Sequence, residues 1–324
     1  MTPAPVARTV PLRTQLLHRL SRVAGSVADQ GPRELARRRV VPRRTKLLDA
    51  IAGPVPPDVA IVDGEVPVRA GRHVRVRRYR PEAATDPLPV LVFFHGGGWT
   101  LGQVEDYDPL CAYLSAQAGL LVVSVDYRLA PEHPAPAAIH DCIDALRALP
   151  GLAPDCCGDP GRLAVAGDSA GGNLAAVCTH LVRDEGGPTL ACQALIYPSV
   201  DSTCLSRSKI EFARGPILTR RDTDGFFAHY LGTGPDALTA LDPLISPALG
   251  QLHDLPPALV QVAGLDPLRD EGRRYAHALR AAGVPADLTE YPRAPHGFAS
   301  TPRLCVGVEG HRDELVAFLR RHLS

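Results

Sequence analysis

One serine in the sequence stands in a pattern that suits nucleophilic catalysis. Ser169 is the centre of a Gly-Asp-Ser-Ala-Gly run at residues 167–171, between an apolar stretch at 163–166 and a stretch of helical character from 172. A sharp strand-to-helix turn of this G-x-S-x-G type exposes the serine hydroxyl, and its glycines leave room for a crowded backbone. The context therefore predicts an exposed nucleophile; the alternative is a tight turn that uses glycine for its shape alone.

A second glycine-rich run suits the negative charge that such an attack creates. The sequence His-Gly-Gly-Gly-Trp at residues 95–99 directly follows the apolar residues 90–94. In acyl transfer the substrate carbonyl oxygen becomes negative, and preorganised backbone N–H groups stabilise it. The loop is expected to be supported by His95 and Gly96. The expected oxyanion donors are the amides of Gly97, Gly98 and Ala170.

The same glycine run could instead cradle a phosphate. A phosphate loop would be followed by Lys and then Ser or Thr, and a dinucleotide loop would read G-x-G-x-x-G with an acidic partner. Neither pattern follows residues 95–98. The sequence therefore disfavours nucleotide binding.

The base and its orienting carboxylate should follow the nucleophile in chain order. His296 lies on a loop after the last predicted strand, and Asp266 closely follows the strand before it. A carboxylate there can accept the ring N–H of His296 and fix the tautomer that takes the serine proton. Asp270 and Glu271 compete for this role, but they fall in the first turn of the next predicted helix, where the helix dipole favours acidic side chains. The predicted triad is Ser169, Asp266 and His296.

The elements that must position these residues can be read from residue 88 onward. Short, nearly continuous apolar runs alternate there with helical spacing, which predicts a doubly wound parallel sheet with strands buried on both faces. Functional groups of such a sheet project from the carboxyl ends of its strands. The predicted strands are residues 90–94, 120–126, 163–166, 192–196, 258–262 and 286–291. The predicted helices are residues 111–118, 138–149, 172–183, 222–230, 271–282 and 310–322.

The first 80 residues follow other patterns. Helical spacing over residues 12–51 predicts two or three short helices, and residues 62–80 alternate around a turn at Ala70 and Gly71, which predicts a hairpin at a sheet edge. Residues 1–46 carry eleven Arg or Lys against two acidic residues. We expect this basic arm to be a solvated face whose arginine stems cover apolar surface; contact with an acidic partner or a membrane surface is the alternative.

Bulk properties disfavour several classes of protein. The formal net charge is zero, which gives no global field for nucleic acid or an anionic bilayer. No Cys-x-x-Cys pair or zinc-type spacing occurs among the eight cysteines, so a metal site is not expected, although the adjacent Cys156 and Cys157 could be redox-active. Without a signal-type apolar segment or a span of about 18 apolar residues, we expect a cytoplasmic protein. Whether the chain forms a homodimer is left open.

Taken together, the motifs resemble those of the hormone-sensitive-lipase family of α/β-hydrolase esterases, bacterial family IV. Order and spacing agree over about residues 45–322, while residues 1–44 extend beyond the match. The motifs that carry the resemblance lie at residues 95–99, 126–134, 167–173, 266–270 and 296–298. The resemblance implies an α/β-hydrolase fold, a small-molecule acyl ester of short to medium chain length as substrate, and no cofactor. It also implies a cap from residues 1–55 and 200–230 over a catalytic domain at 56–324.

Other assignments depend on this resemblance. Arg128 and Glu132, in the run at 126–134, are expected to hold the loop near the oxyanion strand rather than to touch the substrate. An amidase or peptidase would use the same triad, and a non-catalytic ligand-binding protein would share the scaffold, as gibberellin receptors do after losing the histidine. The presence of His296 disfavours the latter. The substrate-pocket candidates are Trp99, Tyr107, Phe212 and Ile217.

Overall fold

A single mixed sheet forms the centre of the computed structural model, which describes residues 10–23, 25–40, 45–152, 158–235 and 237–324. Its strand order is β1-β2-β4-β3-β5-β6-β7-β8. Strands β1 and β2 run antiparallel to their neighbours, and the other pairs are parallel. The strands are β1 Val59–Val68, β2 Arg72–Pro81, β3 Leu88–Phe94, β4 Leu121–Val125, β5 Gly158–Asp168, β6 Leu190–Ile196, β7 Ala258–Leu265 and β8 Ala286–Pro295.

Helices connect the parallel strands and cover both faces of the sheet. Buried side chains of α5, α6 and α9 form one core with one face, and those of α4 and α10 form a second core with the other. Burial on both faces explains why strands such as β3 and β7 are apolar almost without interruption. The helices of the described residues are α1 Leu12–Val23, α2 Pro32–Arg38, α3 Lys46–Ala52, α4 Asp108–Ala118, α5 Ala137–Leu152, α6 Ala170–Glu185, α7 Arg207–Glu211, α8 Arg220–Leu231, α9 Arg269–Ala281 and α10 His311–Leu323.

This architecture confirms the predicted fold class, a mostly parallel sheet flanked by helices. The predicted hairpin is also present at the sheet edge, and both of its turn residues adopt positive φ, 60° at Ala70 and 66° at Gly71. Positive φ at both central positions is the geometry that matches the twist of two antiparallel strands. The short helix α7 was not predicted, because five residues carry too little periodicity to be recognised.

The cysteines of the described residues are free thiols, five of them buried and Cys204 partly exposed. Burial raises the pKa of Cys142 and Cys178 well above the usual thiol range, which keeps both protonated as small apolar groups. Cys156 and Cys157, which the sequence suggested as a redox pair, lie outside the described residues. Among the described helices, none has the length and hydropathy needed to cross a bilayer.

Candidate active site

Ser169 occupies the turn between β5 and α6 in a strained backbone conformation, with φ 54° and ψ −117°. This conformation is costly for a residue with a side chain and persists only where the surroundings impose it. The glycines on either side are needed for close approach. A Cβ at Gly171 would overlap the carbonyl group of Phe94, and one at Gly167 would overlap the carbonyl group of Gly171. The predicted sharp strand-to-helix turn is therefore present, with the serine at its apex.

Three residues far apart in sequence form one hydrogen-bonded chain. The Oγ of Ser169 lies 2.8 Å from Nε2 of His296, whose Nδ1 lies 2.7 Å from Oδ2 of Asp266. Asp266 follows β7 and is fully buried, and its second oxygen accepts the backbone N–H of Leu268 at 2.9 Å. Each of the three side chains therefore stands where a strand ends, at the carboxyl edge of the sheet.

His296 experiences two opposing influences on its pKa. Burial disfavours the charged ring and lowers the pKa, whereas the charge of Asp266 and its hydrogen bond favour the charged ring. The second influence prevails, so the pKa of His296 is raised above its usual value. A ring in this environment takes up a proton readily while it remains oriented by the carboxylate.

The two acids that competed with Asp266 in the sequence serve other contacts. Asp270 bonds to the guanidinium of Arg269 at 2.8 Å and accepts the backbone N–H of Ser208 at 2.8 Å. Glu271 is buried 2.7 Å from the ammonium of Lys209. Neither carboxylate contacts the ring of His296, so Asp266 alone of the three is placed to orient it.

The glycine run after β3 lies beside the serine. Gly97 and Gly98 adopt φ of 116° and 62°. A Cβ at Gly97 would overlap the carbonyl group of Leu101, and one at Gly98 would overlap the ring of Phe226. The run is glycine because no larger residue fits these approaches.

Three backbone amides of the site are free to bind an anion. Gly97, Gly98 and Ala170 line the same cavity as Ser169. Within the described ranges, no group accepts a hydrogen bond from their N–H groups. Ala170 is also the first residue of α6, where unpaired N–H groups and the helix dipole favour negative charge.

His95 contacts the glycine run that directly follows it. Its ring is fully buried, stacks on Tyr127 with centroids 4.3 Å apart, and places Nδ1 2.7 Å from the carbonyl oxygen of Gly96. Since a carbonyl only accepts, Nδ1 carries the proton. Burial lowers the pKa of this ring, so it stays neutral. The geometry agrees with a bracing position and gives His95 no contact with Ser169.

A cavity of about 720 Å³ opens above the serine. Of the four pocket candidates, Trp99, Tyr107 and Ile217 line it. Phe212 does not line it; its buried ring lies with the guanidinium of Arg269 5.4 Å from its centroid. Sequence reasoning missed further lining side chains, although the apolar pair 226–227 on a predicted helix was an available signal. The lining side chains that were not predicted are Leu218, Phe226, Phe227 and Leu268.

Two chain segments contribute residues to the wall of this cavity. The N-terminal segment contributes Gly25, Ser26, Val27, Asp29 and Arg38 to its lining, and the segment after β6 contributes ten of the residues between Ala213 and Phe227. The segments contact each other directly: the hydroxyl of Ser26 donates to Asp222 at 2.6 Å, and the backbone N–H of Ile217 donates to His18 at 3.2 Å. These are the segments in which the sequence placed the cap.

Arg128 and Glu132 hold the loop after β4, as the sequence predicted, but the N-terminal partner of Glu132 was not predicted. Arg128 forms a bidentate pair with buried Asp141, at 2.8 and 2.9 Å. Glu132 pairs with Arg39 of the basic N-terminal segment at 2.9 Å. The same guanidinium donates to the carbonyl oxygens of Thr100 at 2.8 Å and Ala130 at 2.6 Å. Arg39 therefore fastens the N-terminal segment to the loop that carries the glycines.

No cluster of His, Cys, Asp or Glu in the described part of the chain has the arrangement of a metal site. The fold and the hydrogen-bonded Ser-His-Asp chain instead define the class of α/β hydrolases.

The chain belongs to the alpha/beta hydrolase fold family, whose model matches residues 91–300. It is 47% identical over 272 residues to the carboxylic ester hydrolase LipN of Mycobacterium tuberculosis, covering 82% of this chain and 71% of that protein. It is 35% identical over 279 residues to an ethyl acetate hydrolase of Pseudomonas putida, with coverage of 84% and 86%. The solved structure of a hyperthermophilic esterase from the archaeon Pyrobaculum calidifontis matches with a TM-score of 0.85 and 36% identity, over 96% of this chain and 97% of that one. These matches confirm the family predicted from the motifs.

Proposed function

We propose that this chain is a serine carboxylester hydrolase that cleaves small acyl esters of short to medium chain length through an acyl-enzyme intermediate. The observation that carries the proposal is the hydrogen-bonded chain from Ser169 through His296 to Asp266 beside three unpartnered amides. The similarity to proteins named carboxylic ester hydrolase and ethyl acetate hydrolase supports the ester as substrate class.

In the first half-reaction the Oγ of Ser169 attacks the ester carbonyl carbon while Nε2 of His296 takes the hydroxyl proton. Asp266 holds the ring in the required tautomer and stabilises the imidazolium that forms. The carbonyl oxygen becomes an oxyanion, which the amides of Gly97, Gly98 and Ala170 stabilise. Collapse of the intermediate breaks the ester C–O bond, and the departing alkoxide receives the proton from His296.

In the second half-reaction water replaces the alcohol. His296 takes a proton from the water as its oxygen attacks the acyl carbon, and the same amides hold the second oxyanion. Collapse releases the carboxylic acid, and the proton returns from His296 to Ser169. The enzyme is regenerated without a change in the protonation state of the triad.

The assignment is tested by turnover of p-nitrophenyl butyrate. Ser169→Ala removes the nucleophile, so kcat should fall by about 10⁴-fold or more. A variant that is folded by circular dichroism and hydrolyses the ester at the native rate would refute the proposal.

We further propose that residues 1–55 and 200–230 act as a cap over a catalytic domain of residues 56–324. Support comes from the cavity lining that both segments supply and from their mutual hydrogen bonds. Because the cap encloses the cavity, it should limit the acyl length that fits. A series of p-nitrophenyl esters of increasing chain length measures this limit directly.

An amide bond would pass through the same tetrahedral intermediate, so paired ester and anilide substrates with a common acyl group decide between the two activities. We expect the ester to be turned over far faster. A pure binding protein would need no contact between Ser169 and His296, whereas the two are 2.8 Å apart here. The cytoplasmic location and the absence of a nucleic-acid partner stay predictions from the sequence.

A further inference from the structure

The residue before the serine is a buried carboxylate that contacts three parts of the site at once. Oδ1 of Asp168 accepts the backbone N–H of Gly96 at 2.7 Å. Oδ2 accepts the hydroxyl groups of Tyr107 at 3.0 Å and Tyr197 at 3.1 Å. The side chain is almost completely buried, with a relative exposure of 2%. All three of these donors are neutral groups.

The bond to Gly96 reaches the loop that carries the proposed oxyanion donors. Gly96 directly precedes Gly97 and Gly98, and its N–H also lies 3.0 Å from the hydroxyl of Tyr107. A Cβ on Gly96 would stand only 2.6 Å from Oδ2 of Asp168. The loop is therefore drawn against this carboxylate to a distance that only glycine allows.

The bond to Tyr197 reaches the loop that carries the proposed base. The ring of Tyr197 lies against that of His296, with centroids 4.7 Å apart. Its hydroxyl also accepts the backbone N–H of Ala299, three residues after His296, at 3.3 Å. One carboxylate therefore links the ends of β3, β5 and β6 with the loop that follows β8.

We propose that Asp168 is a positioning residue whose negative charge holds the oxyanion loop and the His296 loop in the geometry that the tetrahedral intermediate requires. This inference rests on the proposed function and deepens it. Asp168 acts through Gly96 and Tyr197 and does not contact the reacting atoms.

At neutral pH the negative charge of Asp168 does not stabilise the folded state. Burial raises the pKa of Asp168 to about 6, even though its hydrogen-bond donors and His296 act to lower it. A carboxyl group whose pKa is raised in the folded state favours folding when protonated, and this contribution is lost as pH rises through about 6. At neutral pH the ionised carboxylate therefore costs folding stability, and a neutral isostere removes that cost.

The test is Asp168→Asn. The amide oxygen can still accept the N–H of Gly96, and the amide NH₂ can donate to the tyrosine oxygens, so the shape is kept while the charge is lost, and with it the acceptor of the two tyrosine hydroxyl groups. We expect kcat on p-nitrophenyl butyrate to fall about 10- to 100-fold, less than the 10²- to 10³-fold typical of removing an oxyanion donor outright. KM should change by less than about twofold, because the charge of Asp168 is expected to stabilise the transition state and not the bound substrate. The melting temperature should change little, because relief of the buried charge offsets the lost acceptor of the two hydroxyl groups.

A pH profile supplies a signature that a structural role would not give. The acids that raise the pKa of His296 are Asp266, Asp168 and Glu271. Loss of one of these charges lowers the pKa of the ring, so the acid limb of the kcat/KM profile should move to lower pH in Asp168→Asn. The affinity for a trifluoromethyl ketone, which forms an oxyanion on Ser169, should fall in parallel with kcat.

Glu314→Gln is the matched control. Glu314 is also a carboxylate that accepts from a tyrosine hydroxyl, that of Tyr291 at 2.8 Å, and from the amide of Gln261 at 2.6 Å, and it does not line the cavity. Its kcat and acid limb should equal those of the wild type. Tyr197→Phe, which removes one donor from Asp168, should lower kcat by a smaller factor than Asp168→Asn.

Two failures can be told apart. If the wild type neither hydrolyses the ester nor reacts with a fluorophosphonate at Ser169, the proposed function fails. If the wild type does both and Asp168→Asn keeps native kcat, or loses kcat only in proportion to a lower melting temperature, the proposal for Asp168 is overturned.

Discussion

The indole of Trp99 stacks on the ring of Tyr230, with centroids 4.3 Å apart and ring planes inclined by 4°. Trp99 directly follows the glycine run, and Tyr230 belongs to α8, which lies at the end of the proposed cap. The backbone N–H of Ala135 also donates to the carbonyl oxygen of Tyr230 at 2.7 Å. The proposed oxyanion loop and α8 are therefore packed as one unit.

Replacing Tyr230 by Leu should disturb this unit. The substitution removes a stack worth about 0.5–1.5 kcal/mol beyond the area it buries, so both the free energy of unfolding and kcat should decrease. Tyr230→Phe is the control, because the hydroxyl is buried without a hydrogen-bond partner among the described residues and the ring is retained. Urea unfolding and ester turnover measure both quantities. Equal values for the Leu and Phe variants would show that the stack contributes nothing.

Arg39 makes a second connection between the proposed cap and the glycine loop. Arg39→Ala removes hydrogen bonds to two carbonyl oxygens, which contribute about 1.5–3 kcal/mol each for a charged donor. It also removes the exposed pair with Glu132, which contributes about 1 kcal/mol or less. We expect a lower melting temperature together with a lower kcat. Arg39→Lys should recover little, because an ammonium cannot reproduce the planar fork.

Arg37→Ala is the control for this prediction, since Arg37 is exposed on α2, two residues before Arg39, which caps the end of that helix. It should behave as the wild type in both measurements. If Arg39→Ala matched Arg37→Ala, the N-terminal segment would have no influence on the loop.

The loss of activity caused by Gly98→Ala should be partly restored by a second substitution, Phe226→Ala. An added Cβ would overlap the ring of Phe226, and the positive φ of Gly98 adds strain for any side chain. We expect kcat to fall by about 10²-fold or more, which is the effect of losing one oxyanion donor. Combining it with Phe226→Ala removes the overlap but not the strain, so the double variant should be more active than Gly98→Ala alone. If the effects of the two substitutions on kcat were additive in a double-mutant cycle, the contact between residue 98 and Phe226 would be contradicted.

The pH dependence follows from the raised pKa of His296. The ring must be neutral to take the serine proton, so kcat/KM should be highest above this pKa and should decrease as pH falls through it. Because the pKa is raised, the midpoint of the acid limb should lie above the value of a free histidine. A profile that stays flat from mildly acidic to neutral pH would contradict the assignment of the base.

The convergence of Ser169, Asp266 and His296 was predictable from the sequence because each of them directly or closely follows an apolar strand. The carboxyl ends of parallel strands meet at one edge of a sheet, so order along the chain indicated which of these groups would meet. Asp266 could be preferred to Asp270 and Glu271 because it closely follows a strand, whereas those two acids fall in the first turn of the next helix.

Long-range contacts could not be predicted in this way. Phe212 is apolar and lies in the proposed cap, but the guanidinium of Arg269, 57 positions later, packs on its ring. The role of Asp168 depends on how closely β3 and β6 bring Gly96 and Tyr197 to it, which no local pattern encodes. Strand β5 begins at residue 158 rather than 163, because pairing with the start of β3 extends it through a Gly- and Pro-containing stretch that resembles a turn.

The central claim is that Ser169 is a nucleophile activated by His296, and mapping of a fluorophosphonate adduct by mass spectrometry tests it most directly. The account predicts one phosphonyl group on the peptide that contains Ser169, none on Ser199 in the same cavity, and greatly slowed labelling in His296→Ala. Labelling of another residue, or labelling of Ser169 at the native rate in His296→Ala, would contradict it.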